Sequence, residues 1–382
     1  MILDRLVKFF TSLRLTVVLL VLGLVLVFWG TIAQVHLGLY KAQNDFFRSF
    51  FVFWEPKGSS LRIPIFPGGY MIGGLLIINL IAAHFRYYKP GKRKIGIIMI
   101  HLGLVLLLIG QLLTDFLATE SIMHLRNGET RNYSESQGSY ELAITDKSDP
   151  KADKVVAVPV HRLAAGGDVS LPNLPFTVRV KTYYPNSSLL EKPESGYQPV
   201  QVTAGIGSGV WWKELPRETV MDRRDMPSAI VEILSPKGSL GSYLVSSFLA
   251  HPQPLEFDGQ QYDIALRLER FYKPYNMQLI EFRHDKYPGT EIPKNFSSRV
   301  RLIQPGTGED REVLIRMNAP LRYKGDTYYQ SSFDPDNQGS VLQVVRNPSW
   351  LTPYFACLIV GAGLTVQFLS HLVGFATKRR TK

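Results

Sequence analysis

Four apolar segments, each long enough to cross a lipid bilayer, constrain the fold of this chain more than any other feature. A membrane-spanning helix needs about 20 mostly apolar residues. The segments of this length lie at about 13–35, 68–85, 95–116 and 351–375. The first has the position of a secretory signal peptide, but its apolar stretch is longer and no small-x-small cleavage site follows it. We therefore expect four membrane-spanning helices, three before and one after a large intervening block.

Basic residues in the short flanks of these segments predict the orientation, because Lys and Arg accumulate on the cytoplasmic side of membrane proteins. Four spans would place three basic flanks on one side, and these flanks hold Arg5, Lys8, Arg14, Arg86, Lys89, Lys92, Arg93, Lys94, Lys378, Arg379, Arg380 and Lys382. Both termini are then cytoplasmic. The net charge of +11 reflects this topology and gives no support for nucleic-acid binding.

The predicted organisation has five parts. They are the N-terminus with the first span (1–36), an outer loop with a possible interfacial helix (37–67), the second and third spans with a basic inner loop (68–116), an external β-rich domain (117–350), and the last span with a basic tail (351–382).

Alternation of apolar and polar residues predicts that the external block is all-β. Such alternation is typical of half-buried strands, and it recurs at 175–184, 261–272, 298–304, 312–317 and 341–347. FDGQQY at 257–262 and YKGDTY at 323–328 have the composition of hairpin turns. We expect a sandwich-like domain or a partly open barrel. The Pro/Gly-rich stretch 187–224 is then a long loop or a break between two β units.

The outer loop at 39–53 is rich in aromatic residues interleaved with charged ones. This pattern suits a helix lying in the membrane interface. A loop packed under the external domain is the alternative.

Three histidines fall within the apolar segments, where an ionisable side chain is costly and therefore a candidate functional residue. His84 and His371 lie near the predicted inner ends of their spans, where a polar tip can reach water. His101 lies about 9 Å deep at ~1.5 Å per residue, with apolar neighbours on both sides. A neutral imidazole binds haem iron well, or it hydrogen-bonds a neighbouring helix. Gly103 and Gly110 would let another helix or a flat macrocycle come close.

Few other side chains have the type and spacing of a catalytic or metal-binding site. Cys357 is the only cysteine, which excludes an internal disulfide and a cysteine-based metal cluster built from this chain alone. No nucleophile elbow, P-loop, H-E-x-x-H or C-x-x-C motif is present, so a hydrolase or thiol oxidoreductase has little support. The external histidines, His124, His161, His251 and His284, show no close ligand spacing. The pair Trp211-Trp212 suits a flat hydrophobic ligand, the membrane interface or a partner.

Long motifs across the chain resemble those of ResB-like cytochrome c biogenesis proteins of the System II pathway, the ResB/CcsB family. Two lie in the membrane segments, SLRLTVVLLVLGL…WGTIAQ (12–34) and IHLGLVLLLIGQL (100–113). Two lie in the external block, FRHDKYPGTEIPKNFSSRVRL (282–302) and MNAPLRYKGDTYYQSSFDPD (317–336). The last, VVRNPSWLTPYFACLIVGAGL, covers 344–364. The order of three spans, a large external domain and a final span also agrees.

The resemblance implies a subunit that exports haem across the membrane and supports its covalent attachment to the C-x-x-C-H of apocytochrome c. Its partner would be a ResC/CcsA-type membrane protein that carries the WWD haem loop. This chain has Trp211-Trp212-Lys213 instead, so that role is not transferred to it. We expect a separate partner and a non-catalytic or co-catalytic subunit of a cytochrome c haem lyase, with no catalytic residue of its own. The implied location is the bacterial inner membrane, with the large domain on the periplasmic face.

The cofactor implied by the resemblance is haem b in transit, shared with the partner. The family's site within the membrane takes one histidine from each subunit, and His101 is the position that best matches the ligand from this side. His84 is the fallback ligand and His371 a third candidate. Two alternatives stay open: an assembly scaffold without haem ligands, and a membrane-anchored sensor or transporter subunit whose β-domain binds a ligand.

Overall fold

The computed structural model describes residues 2–56, 61–87, 94–149, 152–171, 173–218, 223–290 and 293–380. Of the basic flank residues, Lys89, Lys92, Arg93 and Lys382 lie outside this part of the chain. The chain forms two compact units. One contains the chain up to Ala118 and from Asn347 onward, and the other contains Thr119–Glu218 and Arg223–Arg346.

The first unit is helical and holds the four apolar segments. Its helices are α1 (Ile2–Phe10), α2 (Leu13–Leu37), α3 (Leu39–Ala42), α4 (Gly69–Tyr87), α5 (Ile95–Leu117) and, from the end of the chain, α7 (Thr352–Arg380), with a π-helical turn at Gln43–Phe47. Four of these helices, α2, α4, α5 and α7, are long and apolar enough to cross a membrane. The predicted arrangement of three spans before the large domain and one after it is confirmed, and the chain is a multi-pass membrane protein.

The break between α1 and α2 is held by a polar side chain from another helix. Ser12 caps α2 by accepting a hydrogen bond from the amide of Arg14 at 3.2 Å. Asn79 of α4 is buried and donates from Nδ2 to the carbonyl of Phe10 at 2.7 Å. Its Oδ1 accepts from the hydroxyl of Thr16 at 2.6 Å. Asn79 thus satisfies backbone groups that a helix terminus leaves without partners in an apolar environment.

Helices α5 and α7 pack along a face of glycines. Gly96, Gly103 and Gly110 recur every seventh residue, which places them on one side of α5. A Cβ added to Gly96 would lie 2.7 Å from the backbone nitrogen of Gln367, and one added to Gly103 would lie 2.9 Å from the carbonyl oxygen of Ala356. The close approach predicted at Gly103 and Gly110 is therefore an approach of α7, which is the use of small residues common in membrane helices.

The outer loop is part helix and part hairpin. Helix α3 and the π-helical turn lead into β1 (Phe51–Trp54), which pairs antiparallel with β2 (Ile63–Pro67). Val52 is buried in a cluster with Leu26, Phe46 and Ile72, whereas Phe51 and Phe53 are exposed. Of the two alternatives for 39–53, helix forms only over residues 39–47. The segment then continues as β1, because alternation along FVFW buries Val52 on the bundle and leaves its neighbours outside.

The second unit is an all-β domain with one short helix, α6 (Val160–Ala165). Its strands are β3 (Thr119–Arg126), β4 (Thr130–Asp146), β5 (Lys154–Pro159), β6 (Gly167–Val169), β7 (Thr177–Tyr184), β8 (Ser187–Leu190), β9 (Gln198–Pro199), β10 (Trp211–Glu214), β11 (Ser228–Ser235), β12 (Gly238–Ser246), β13 (Gln253–Phe257), β14 (Gln260–Lys286), β15 (Pro293–Gln304), β16 (Glu309–Arg316), β17 (Leu321–Tyr323), β18 (Asp326–Phe333) and β19 (Gly339–Arg346). The all-β prediction is confirmed, and each of the five predicted strand segments overlaps a strand.

Both predicted hairpin turns form. Asp258 and Gly259 link β13 to β14 with positive φ of 49° and 75°, and Lys324 and Gly325 link β17 to β18 with φ of 48° and 86°. Two consecutive residues with positive φ are the requirement of a type I′ turn, whose twist matches that of paired strands.

The described part of the domain contains two large hydrophobic cores and a small one around Trp212. The first lies between the sheet β12-β11-β7-β6 and the strands β4, β5, β13 and β14, as in a sandwich. The second lies within the long sheet ordered β16-β15-β14-β4-β3-β19-β18-β17, which curls so that β16 also contacts β17 and β18. One half thus has the sandwich form that was predicted, and the other has the partly open barrel form.

Strand β14 connects the two cores. Ile264 and Leu266 are buried in the first core, and Met277 and Leu279 are buried in the second. Between them the pairing with β4 shifts register from Tyr272 to Met277. The irregular stretch predicted at 187–224 contains a separate small sheet, ordered β8-β10-β9.

Candidate histidine site in the membrane helices

Two of the three membrane histidines meet. The imidazole of His84 on α4 and that of His101 on α5 have ring centroids 6.0 Å apart and planes inclined by 83°. Both side chains are half-buried within the bundle. The first-choice ligand and the fallback ligand from the sequence therefore occupy one place in the structure.

The glycine face of α5 determines where His101 points. With 3.6 residues per turn, His101 lies about 160° around the helix from Gly103. Since Gly103 packs on Val360 and Ala356 of α7, His101 lies on the side of α5 away from α7. That side faces α4, where His84 lies three residues before the end of the helix at Tyr87.

His371 lies apart from this pair. It is exposed on α7, where its Nε2 accepts a hydrogen bond from the side-chain amide of Gln367 at 2.7 Å. Gln367 is beside Gly96, near the first residue of α5, and His371 is about 6 Å further along its own helix at ~1.5 Å per residue. A polar residue one turn away thus satisfies His371 without any ligand.

The two imidazoles of His84 and His101 suit haem iron better than a metal ion without a porphyrin. Zinc in proteins takes three or four side-chain ligands, whereas haem iron takes one or two axial ligands because the porphyrin supplies the rest. Among the described residues there is no group of three or more His, Cys, Asp or Glu side chains that could hold a metal ion. His84 and His101 are two imidazoles side by side in an apolar bundle, which fits the axial chemistry.

At the opposite end of α4 and α5 the polar groups form a clamp. Asp115, near the end of α5, forms an ion pair with Arg48 at 2.9 Å. It also accepts a hydrogen bond from the hydroxyl of Tyr70. Thr114 contacts the hydroxyl of Ser349 at 3.0 Å, just before α7. Asp115 therefore links the outer loop, α4 and α5.

The tryptophan pair does not form an exposed aromatic platform. Trp212 is 4% exposed and packs in a small core with Val200, Ile230 and Leu244. Its ring centroid lies 4.3 Å from that of Tyr184. Trp211 alternates to the other face of β10 and is half-buried.

Two external histidines have structural partners. The Nε2 of His124 is bonded to the carboxylate of Asp334 at 2.9 Å. The ring of His284 lies 4.6 Å from that of Phe296 and 4.9 Å from that of Phe333. Both histidines therefore contribute to packing around the turn between β18 and β19, and no pair of external histidines forms a metal site in the described part of the chain.

A polar cluster is buried at the second core, and no pattern in the sequence predicted it. Lys273 and Asp326 form an ion pair of 2.8 Å with side chains only 8% and 3% exposed. Tyr275 donates to the same carboxylate oxygen at 3.2 Å and lies 2.6 Å, oxygen to oxygen, from Tyr328. Burial raises the pKa of both tyrosines. The residues come from distant strands and have no shared sequence motif, so only the fold reveals them.

Comparison with known proteins points to the same family as the sequence motifs. Residues 256–345, which run from the end of β13 nearly to the end of β19, match the model of the ResB-like family. Protein NrfI of Wolinella succinogenes is 24% identical over 318 residues, an alignment that covers 78% of this chain and 29% of NrfI. The chain therefore spans less than a third of that relative. The resemblance that the sequence motifs indicated is thus confirmed: the chain is similar to the ResB-like family over residues 256–345 and to Protein NrfI over most of its own length.

Proposed function

We propose that this chain is the subunit of a System II-type complex that exports haem and supports its attachment to apocytochrome c. The observation that carries the proposal is the contact of His84 with His101 inside the helical bundle, at 6.0 Å between ring centroids. The family match at 256–345 supports it independently of that site.

In this proposal haem is the cargo, and its iron takes axial ligands from the protein. His101 is the ligand from this chain, because its depth prevents the imidazole from reaching water. The second axial ligand comes from a ResC/CcsA-type partner subunit. The ring of His84 lies nearly perpendicular to that of His101, and in this proposal it positions the His101 ring. A neutral imidazole binds a metal through one nitrogen while the other nitrogen needs a partner that fixes the tautomer.

The proposed direction of transport follows from charge. The flanks rich in Lys and Arg lie at the ends of α4 and α5 nearest to His84 and His101, and such flanks face the cytoplasm. Haem then reaches the site at His84 and His101 from the cytoplasmic leaflet. The β-domain, which continues from the other end of α5, lies in the periplasm, where apocytochrome c is modified.

Alanine variants of the three histidines test this proposal. The chain is co-expressed with a ResC/CcsA-type partner, and haem in the purified complex and cytochrome c in the cells are measured by absorption. We expect His101→Ala to lose most of the haem and the cytochrome. His84→Ala should lose part of both.

His371→Ala is the matched control, because it removes the same side chain from a membrane helix outside the pair. It should retain the haem content and cytochrome yield of the unmodified chain. A scaffold without haem ligands predicts that all three variants behave alike, and that outcome would refute the ligand assignment.

A further inference from the structure

Helix α2 extends well beyond the residue at which α4 begins. The two helices run antiparallel, because Asn79 of α4 contacts Thr16 of α2, whereas Ile72 lies beside Gly23. A Cβ added to Gly23 would lie 3.8 Å from Ile72, the fourth residue of α4. Helix α2 continues for 14 residues after Gly23, to Leu37, which is about 21 Å at ~1.5 Å per residue. Helix α4 therefore does not cover the last part of α2.

The outer loop packs against this last part of α2. The ring centroid of Trp29 lies 5.3 Å from that of Phe46 and 5.9 Å from that of Phe66. A Cβ added to Gly30 would lie 2.8 Å from the ring of Phe47. Trp29 lies about 12 Å before the end of α2 at ~1.5 Å per residue. The hairpin formed by β1 and β2, called the outer hairpin below, therefore lies beside α2 and not beyond its end.

Other sides of α2 are apolar and exposed at the same level. Val27, Phe28 and Ile32 are each more than half exposed, and they neighbour Trp29 in sequence. Helix α2 is long and apolar enough to cross a membrane, and such a surface on a membrane helix faces lipid. The outer hairpin thus lies at a level where α2 is in contact with lipid.

The outer hairpin presents apolar side chains on its face away from the bundle. Val52 is buried on the bundle, and the alternation of a strand directs Phe51 and Phe53 to the other face. Both are exposed, as are Trp54 and Ile65. Tryptophan and other aromatic side chains are costly to leave in water in such a group, and they are typical of the membrane interface.

The charged side chains beside this apolar face are already paired. The Nε of Arg62 lies 2.7 Å from a carboxylate oxygen of Glu55, and its guanidinium lies 4.9 Å from the ring centroid of Phe53. Arg48, just before β1, is paired with Asp115 at 2.9 Å. These two arginines therefore need no anionic headgroup as a partner, and the aromatic residues are the groups that favour lipid.

The backbone of the outer hairpin limits how deep it can lie. Strands β1 and β2 form a two-stranded sheet, and no other described strand pairs with either of them. An unpaired N–H or C=O costs several kcal/mol in hydrocarbon, so a two-stranded hairpin belongs where water still reaches. Pro64 and Pro67 have no N–H, which lowers the number of donors that β2 could leave unpaired.

We propose that the outer hairpin lies in the interface of the lipid bilayer, with Phe51, Phe53 and Trp54 in contact with lipid between the headgroups and the acyl chains. The apolar part of α4 has 18 residues, about 27 Å at ~1.5 Å per residue, which is less than the ~30 Å of the hydrocarbon core. The outer hairpin, which joins α4 through Gly68, completes this crossing. The proposal does not depend on the function proposed above.

Fluorescence quenching in the full chain tests the depth of the outer hairpin. Cys357 is replaced by serine, Phe53→Cys is labelled with an environment-sensitive fluorophore, and the chain is placed in lipid nanodiscs. The quenchers are a nitroxide near the headgroup end of the acyl chain, a nitroxide near its methyl end, and iodide in water. We expect the shallow nitroxide to lower the emission about twofold, more than the deep nitroxide or iodide does. Strongest quenching by iodide, or by the deep nitroxide, would overturn the proposal.

Three further labelled variants serve as replicate and controls. Phe51→Cys should behave like Phe53→Cys, and it replaces that variant if the first does not fold. Phe28→Cys, on the exposed side of α2, should be quenched by the lipid nitroxides. Phe248→Cys removes an exposed phenylalanine of the β-domain and should be quenched by iodide alone. If Phe51→Cys and Phe53→Cys both behave like Phe248→Cys, the outer hairpin lies in water and the proposal is wrong.

Lipid composition and a second protein provide the remaining tests. Adding about 30% anionic lipid should leave the quenching of Phe53→Cys unchanged, because Arg48 and Arg62 are already paired. Quenching that requires anionic lipid would contradict the aromatic basis of the contact. The measurement is repeated on the chain co-purified with a ResC/CcsA-type partner. Retained quenching by the shallow nitroxide supports lipid contact, whereas its loss would show that a protein covers this face and would overturn the proposal.

Discussion

Replacing Lys273 by methionine should destabilise the second core of the β-domain far more than the loss of one surface charge would. The ammonium group lies 2.8 Å from Asp326, and both side chains are almost fully buried. At an effective dielectric constant of about 20, that attraction is about 6 kcal/mol. The desolvation of two buried ions offsets most of it, so the pair as a whole adds little.

Removing one partner is different, because the other charge stays buried. In Lys273→Met, one carboxylate oxygen of Asp326 keeps only the hydroxyl of Tyr275, at 3.2 Å, among the described residues. The other oxygen, Oδ1, is already buried, and no described residue is its hydrogen-bond partner. Breaking a buried pair in this way costs about 3–5 kcal/mol. The double variant Lys273→Met/Asp326→Asn should recover at least about 2 kcal/mol of that loss, since it removes both charges.

Native-state hydrogen exchange measures this loss in the full chain. The amides of Met277 and Leu279 belong to the same core. Their exchange should accelerate by about 100- to 5,000-fold in Lys273→Met, as 3–5 kcal/mol requires at 1.4 kcal/mol per tenfold. Lys237→Met is the control, because the ion pair of Lys237 with Asp258 is 2.8 Å long but exposed. It should change exchange less than about fivefold. If Lys273→Met stays within that limit too, the argument from burial is wrong.

Three further predictions follow from packing and titration. Gly103→Leu should destabilise the helical bundle by about 1–3 kcal/mol in a detergent melt, because its side chain would collide with α7, whereas Gly361→Leu, which meets open space, should not. Burial raises the pKa of Tyr328, so the unfolded chain alone loses this proton above pH 10. The free energy of unfolding should therefore keep the full contribution of Tyr328 below pH 10 and decrease above it. Urea titrations at a series of pH values should show a smaller decrease for Tyr328→Phe. Trp212→Ala should cost about 3–5 kcal/mol in the same titrations, and Trp211→Ala clearly less, because only Trp212 is buried in a core.

The four membrane-length helices and the all-β class were predictable from sequence, because both depend on local patterns. Length and hydropathy are sufficient to define a membrane helix, and alternation with Gly-containing turns is sufficient to define a hairpin. The segment 39–53 was harder, since its aromatic residues suit a helix in the interface as well as a strand. The bundle decides between them by burying Val52.

The contact of His84 with His101 was not predictable, although both residues were singled out. A helix that is apolar on every side carries no signal for which face meets a neighbour. The rotation of α5 is set instead by Gly96, Gly103 and Gly110 against α7, which directs His101 toward α4. From the sequence, either another helix or a flat macrocycle could approach Gly103 and Gly110. The structure shows that helix α7 does.

Buried polar pairs and open edges also require the fold. Lys273 and Asp326 lie on β14 and β18, and nothing in either local sequence identifies the other. Likewise the sequence of β14 reads as one long alternating strand. That no described strand pairs with its second edge at residues 265–275 depends on where β13 ends and β15 begins.

Chemical rescue of His101→Gly tests the central claim most directly. The variant is purified with a ResC/CcsA-type partner, and its absorption spectrum is recorded with and without imidazole, beside His371→Gly as the control. If His101 binds the iron, the haem spectrum is lost in His101→Gly and returns when imidazole fills the vacated position. His371→Gly should show the unmodified spectrum throughout. A full haem spectrum in His101→Gly without imidazole would contradict the account.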